Sequence, residues 1–241
     1  TDRDCSDEAV PEVDWLETGT HAVGWQTRAD SSVISGLSLE RLTAVYYPAE
    51  TTGEGQPVAA SEGGYPVIFF QHAGGSHYLN YDFLFMHLAS HGLVVVSIDH
   101  TELDGSTGWG SGDFWGGHDE LFTETIAEFL EWNDTEDHPY SGLLDLDRMG
   151  IAGHSHGTAL ITMQSFGPMS PYAPYSLRAV ALLAPCPDED MADYLEVYEG
   201  MPPLQVIYGS RDQDSCVARG QSIAIFDAGS APSSFIHLPG G

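Results

Sequence analysis

A serine set between two histidines and two glycines, Gly153-His-Ser-His-Gly157, is the stretch of this chain with the plainest chemical potential. A hydroxyl becomes a useful nucleophile when it stands clear of its neighbours beside a base, and small flanking residues let the backbone turn sharply enough to present it. As a bare pattern, Gly-x-Ser-x-Gly is common. Here it falls between Arg148–Gly153, expected as a strand, and an apolar run from Ser155 to about Ser165, expected as a helix. A nucleophile elbow requires that context, because the helix aims its positive end and free N–H groups at developing negative charge. Ser155 is thus the expected nucleophile, and the N–H of His156, the next residue, the first oxyanion donor. Two histidines two apart also invite a chelating reading. Side chains flanking a tight turn diverge, however, and no nearby carboxylate completes a ligand set, so no metal is expected.

The second oxyanion donor should come from the loop after an earlier central strand. Gln71-His-Ala-Gly-Gly75 fits, since its glycines let backbone approach a substrate, and Gly74 is the expected N–H. His72 is expected to brace this loop rather than move protons. The acid that orients the base should lie at the tip of a late strand. Leu204-Gln-Val-Ile-Tyr-Gly-Ser-Arg-Asp212 places Asp212 there, with Asp214 and Asp188 as alternatives. His237 is the only late histidine, and it falls within a strand rather than after one. Trp109 and Trp115 lie in a Gly-rich stretch, Thr101–Gly117, read as a long loop. They either grip an apolar acyl or aromatic group of a substrate or pin the loop to the core.

The elements that must position these residues follow from periodicity. Thr20–Thr27 and Leu37–Tyr47 read as an antiparallel hairpin, and Pro48–Gly64 as a loop. Pro66–Gln71 and Leu93–Ile98 are apolar runs of strand length, as in strands buried on both faces. Between them Tyr81, Leu84, Phe85 and Leu88 recur at helical spacing, ending at His91-Gly92. Leu121, Phe122, Ile126, Phe129 and Leu130 make one stripe of a helix over His118–Trp132. Arg178–Ala184, Leu204–Tyr208 and Ser234–Leu238 read as strands, and Ser215–Asp227 as a helix. This alternation predicts an α/β fold: a mostly parallel central sheet of about eight strands with helices on both faces. One domain is expected over 1–241, with residues 1–15 as a loose acidic arm.

Charge excludes several partners. The chain has 36 acidic side chains against 7 basic ones, all arginine, for a formal charge of −29. Such a surface repels nucleic acid and anionic lipid, and it keeps a protein dispersed where salt screens charge, which points to a secreted or extracytoplasmic, saline setting. No apolar run approaches the roughly 20 residues needed to span a bilayer. Of three cysteines, Cys186 and Cys216 follow strands expected to be neighbours, so a disulfide between them and two free thiols both fit, leaving Cys5 over. Asn133-Asp-Thr135 matches a glycosylation sequon.

From Tyr65 onward the chain resembles bacterial polyester hydrolases and cutinase-like esterases (PET hydrolase-like), and also platelet-activating-factor acetylhydrolases. His87-Leu-Ala-Ser-His-Gly-Leu-Val-Val-Val96 is similar to a helix-to-strand junction these share with chlorophyllases, and Leu146–Gly157 to their elbow segment. The opening hairpin through Val45-Tyr-Tyr-Pro48 is similar too. The resemblance implies the α/β-hydrolase fold, no cofactor, and hydrolysis of small-molecule or polymeric carboxylic esters through an acyl-enzyme. It also implies a base histidine in a Gly-rich turn after the last strand, about two residues beyond Gly241. The reading from another class is a non-catalytic, hydrolase-like binding module. Within the enzymes, a phospholipid esterase, a peptidase or a thioesterase would use the same triad.

Overall fold

The computed structural model describes residues 16–34, 36–106, 112–163, 177–186, 202–211, 219–229 and 232–239. At its centre stand β4 (Tyr65–Gln71) and β5 (Val94–Asp99), short and rich in β-branched and aromatic residues. Every residue of β5 is buried, which explains an apolar run with no alternation: neither face meets water. The two pair in parallel from Val67–Val94 to Gln71–Ile98. On its other side β4 pairs in parallel with β6 (Leu144–His154), ending with Gln71 opposite Gly153. The parallel run continues through β7 (Leu177–Leu183), β8 (Leu204–Gly209) and β9 (Ser234–Leu238). Beyond β5 lies the antiparallel hairpin of β1 (Ala22–Ile34) and β2 (Leu37–Ala49). The sheet has nine strands in the order β3-β1-β2-β5-β4-β6-β7-β8-β9. The strand beyond the expected set is β3 (Gly53–Glu54), two residues inside the stretch read as a loop.

Side chains alternate across the sheet with period two. Tyr46, Phe70, Val95 and Ala152 face one layer, where Phe85 and Ala89 of α1 (Asp82–Ser90) cover them. Val45, Phe69, Val96 and Ile151 face the other. There they meet Phe122, Ile126 and Phe129 of α3 (Gly112–Asp134), Ile161 of α4 (His156–Met163) and Ile225 of α5 (Arg219–Ala228). Helix α1 ends as expected, with Gly92 in the left-handed region at φ 87°. From β4 the chain steps out to β5 and then returns past β4 to β6. The carboxyl ends of β4 and β6 thus flank the point where the winding reverses, where open α/β sheets leave a crevice.

The stretch Thr101–Gly117 is not a single loop. Thr101–Ser106 forms helix α2, and α3 begins at Gly112, so Trp115 lies in the first turn of a helix. Gly117 serves packing rather than turning. A Cβ there would meet Leu103 at 3.1 Å and Ile34 at 3.5 Å, so the glycine lets α3 lie close against α2 and the hairpin. Trp109 lies outside the described residues.

The hairpin also runs further than its apolar pattern, out to Ile34 and Leu37. Its far half is held by charge. Arg41 is buried, hydrogen-bonds Glu128 of α3 through Nη2 and lies 3.8 Å from Asp30. Arg28 pairs with Asp30 at 2.6 Å and stacks 4.1 Å over Trp132. A buried guanidinium is tolerated only with carboxylates to offset its desolvation. Glu128→Ala should therefore lower unfolding free energy by about 1–3 kcal/mol, read from the urea midpoint with the slope unchanged.

Candidate active site

The bend between β6 and α4 is built by steric necessity. Ser155 sits at its apex with φ 50°, a left-handed conformation that costs a residue with a side chain. Both flanking glycines are required by close approach. A Cβ on Gly157 would lie 2.3 Å from the Gln71 carbonyl oxygen and 2.6 Å from that of His72. A Cβ on Gly153 would meet the Gly157 carbonyl oxygen at 2.8 Å. The start of α4 thus presses directly on the end of β4. Ser155 N–H donates to the Leu183 carbonyl at 2.9 Å, and the Ser155 carbonyl accepts from the Thr158 N–H at 2.9 Å and its hydroxyl at 2.6 Å. The Thr158 hydroxyl in turn accepts the Cys186 N–H at 3.0 Å, tying the end of β7 to the bend.

The flanking histidines diverge as a tight turn demands. His154 meets Tyr81 on one side, and His156 makes an edge-on contact with His118 on the other. Beside them the loop after β4 is braced by His72, as expected. Its Nδ1 lies 2.8 Å from the Ala73 carbonyl, and its Nε2 accepts the His100 N–H at 3.1 Å. Asp99, at the end of β5, accepts the Thr101 N–H on Oδ1 at 2.9 Å, its Oδ2 lies 2.9 Å from His77 Nε2, and His72 Nε2 is 3.7 Å from Oδ1. Burial alone would push the Asp99 carboxyl up. The hydrogen bonds from Thr101 oppose burial and hold it below the ordinary carboxylate range.

Pattern reading missed a row of buried imidazoles. His72 stacks on His100 at 3.6 Å, His100 meets His118 at 4.9 Å, and His118 meets His156 at 6.5 Å. These four come from the β4 loop, the end of β5, α3 and α4, so no local spacing announces them. Among the described residues, no group of three or more His, Cys, Asp or Glu is arranged to hold a metal ion.

Other expected residues fall elsewhere. Asp212, Asp214, Asp188, Cys5 and Cys216 lie outside the described residues. Gly74 lies in the turn after His72, where the Ser76 N–H donates to the Ala73 carbonyl at 3.0 Å. His237 lies in β9, as expected, with its ring stacked on Tyr208 at 5.9 Å. Cys186 is disulfide-bonded. Asn133 of the sequon is in α3, and its side-chain oxygen accepts the Leu144 N–H at 2.7 Å.

Comparison with known proteins agrees with this architecture. A family model described as platelet-activating factor acetylhydrolase, isoform II, matches residues 3–110, a stretch that holds the β4 loop and stops short of the serine bend. Among curated proteins none matches the chain. Among solved structures, the ferulic acid esterase from Streptomyces cinnamoneus superposes with a TM-score of 0.65 at 13% identity, covering 97% of this chain and 76% of that one. The fold is that of the α/β-hydrolases. The family match and this neighbour together support a hydrolase of carboxylic esters built on that fold. No described helix is long and apolar enough to cross a membrane.

Two variants test the geometry. Gly157→Ala forces its new methyl into backbone oxygens and should cost about 1–3 kcal/mol or more, seen as a lower melting midpoint and reduced soluble yield. Asp99 contributes stability while it is ionised in both folded and unfolded chains, above about pH 4, and loses it as pH falls through its depressed folded value. Asp99→Asn should therefore melt earlier by a constant margin between about pH 5 and 8, a gap closing only below the ordinary carboxylate range. Melting curves across pH check this.

Proposed function

We propose that Ser155 is the nucleophile of this esterase and that the N–H groups of Gly74 and His156 receive the oxyanion. The observation that carries the proposal is the positive φ of Ser155 at a strand-to-helix bend pressed against the end of β4. A strained bend persists only where surrounding structure over-determines it, and such strain gathers at reacting centres. Asp212, just past β8, is the proposed acid. The proposed base is a histidine following β9, the place the sequence resemblance assigns it, with His237 as the fallback. In this scheme the imidazole takes the serine proton as the hydroxyl attacks the ester carbonyl. It returns that proton to the leaving alcohol, and then activates water to release the acid.

For substrate we propose esters with an apolar or aromatic acyl group, small or polymeric, including polyesters of the PET kind, with Trp109 and Trp115 as contacts. The resemblance to polyester hydrolases supports this, as does a structural neighbour that acts on ferulic acid esters. The family match favours a second reading, a lipid esterase of the platelet-activating-factor acetylhydrolase type. Its lipid would have to be neutral or zwitterionic, since a charge of −29 opposes anionic surfaces. A secreted, oxidising location is proposed from the disulfide at Cys186 together with that charge.

Ser155→Ala tests the assignment. It should abolish labelling by a fluorophosphonate probe and cut p-nitrophenyl ester hydrolysis by roughly 1,000-fold or more while leaving the melting midpoint in place. Ester turnover that survives the substitution would move the nucleophile elsewhere.

A further inference from the structure

Ala73, the residue before the proposed donor Gly74, has both of its backbone polar groups occupied. Its carbonyl lies 2.8 Å from His72 Nδ1 and accepts the Ser76 N–H at 3.0 Å. A carbonyl only accepts, so Nδ1 carries the ring proton and Nε2 is left to accept from His100, as its 3.1 Å contact with that N–H shows. In a trans peptide the N–H points opposite the C=O of the same plane. Fixing the Ala73 carbonyl therefore fixes the direction of the Gly74 N–H, which meets no acceptor among the described residues.

The preceding peptide is pinned as well. Its N–H, that of Ala73, donates to the Tyr81 hydroxyl at 3.0 Å, and its carbonyl, that of His72, lies 3.2 Å from His100 Nε2. Tyr81 does more than receive that proton. Its hydroxyl also lies 2.8 Å from His154 Nδ1. A phenol oxygen has two lone pairs and one proton, so it accepts from Ala73 and still pairs with that nitrogen. Its ring is buried against Phe70 at 4.9 Å and Phe85 at 6.0 Å, so the hydroxyl has little freedom to swing away. One oxygen thus joins the turn after β4 to the residue immediately before Ser155.

We propose that Tyr81 is a positioning residue that presets the separation between the Ser155 hydroxyl and the Gly74 N–H, by bolting the β4 turn to the serine bend. The role rests on the reading of Ser155 and Gly74 given above. Preorganised donors act because they need not move as charge develops. A turn released on one side must reorganise at that moment, a cost that falls on the transition state and spares substrate binding.

The test is Tyr81→Phe, which keeps the ring and removes only the oxygen. Ile126→Val, on the opposite face of the sheet, serves as a control of similar modest instability. Four readouts are compared: amide exchange at Ala73, kcat and KM on a soluble p-nitrophenyl ester, inhibition by a trifluoromethyl ketone, and the melting midpoint. Tyr81→Phe should speed Ala73 exchange and lower kcat roughly 10- to 100-fold with KM within about twofold. Ketone affinity should weaken by the same factor as kcat, and Ile126→Val should change neither rate nor inhibition. Unchanged Ala73 exchange overturns the bolt, and faster exchange with undiminished kcat overturns its positioning role. A wild-type chain that neither turns over ester nor labels with fluorophosphonate sinks the Ser155 reading itself, and the positioning role with it. That result is seen before any variant is made, so the two failures are distinct.

Discussion

The backbone of α4 approaches the end of β4 so closely that no side-chain atom fits between them. Gly157 faces the carbonyl oxygens of Gln71 and His72 where a methyl would stand, and Gly153 faces Gly157 in the same way. Once these contacts are accepted, the chain must leave β6 and enter α4 within one residue, and Ser155 takes the left-handed conformation that the turn demands. The parallel register that sets Gln71 opposite Gly153 brings the two strand ends level. The histidine bracing, the link from Thr158 to Cys186 and the Tyr81 contacts are all arranged around this approach.

Polar groups around the bend are handled by pairing rather than by exposure. Asp99 serves Thr101 and His77 at once, and His72 both gives and receives a hydrogen bond within a nearly dry environment. A buried polar group is tolerable when it is paired, and the pairing makes it rigid. The same economy governs the far end of the hairpin. Two of the chain's seven basic residues, Arg28 and Arg41, are turned toward Asp30 and Glu128. Glu50, Glu54, Glu62, Glu131, Asp134, Glu136 and Asp137 are exposed to water, where self-repulsion favours dispersal over association.

Local patterns exposed some of this architecture and hid the rest for identifiable reasons. β4 and β5 are legible because strands buried on both faces need apolar residues without interruption, and the bend is legible because a serine between small residues follows one strand and precedes a helix. The hairpin's outer half is not, because Arg28, Asp30 and Arg41 are held by charge pairing with another element. The start of α3 is hidden by a run of glycines, of which Gly117 packs closely against Leu103. Tyr81 reads as one more apolar position at helical spacing, and nothing in that spacing reveals what its oxygen touches. His100 and His118 join His72 only when β5 and α3 come together, a fact of tertiary structure alone.

The level ends of β4 and β6 carry a consequence for how the molecule comes into being. These neighbours are separated in the chain by β5 and the helices α1, α2 and α3. Joining them requires a long loop to close, the kind of non-local pairing that forms slowly. With Ser155 as the proposed nucleophile, a nascent or half-folded polypeptide would hold an ordinary, unreactive alcohol at position 155. Reactivity would then arrive only with the completed sheet, and the cell that makes this chain would not be exposed to a partly assembled esterase.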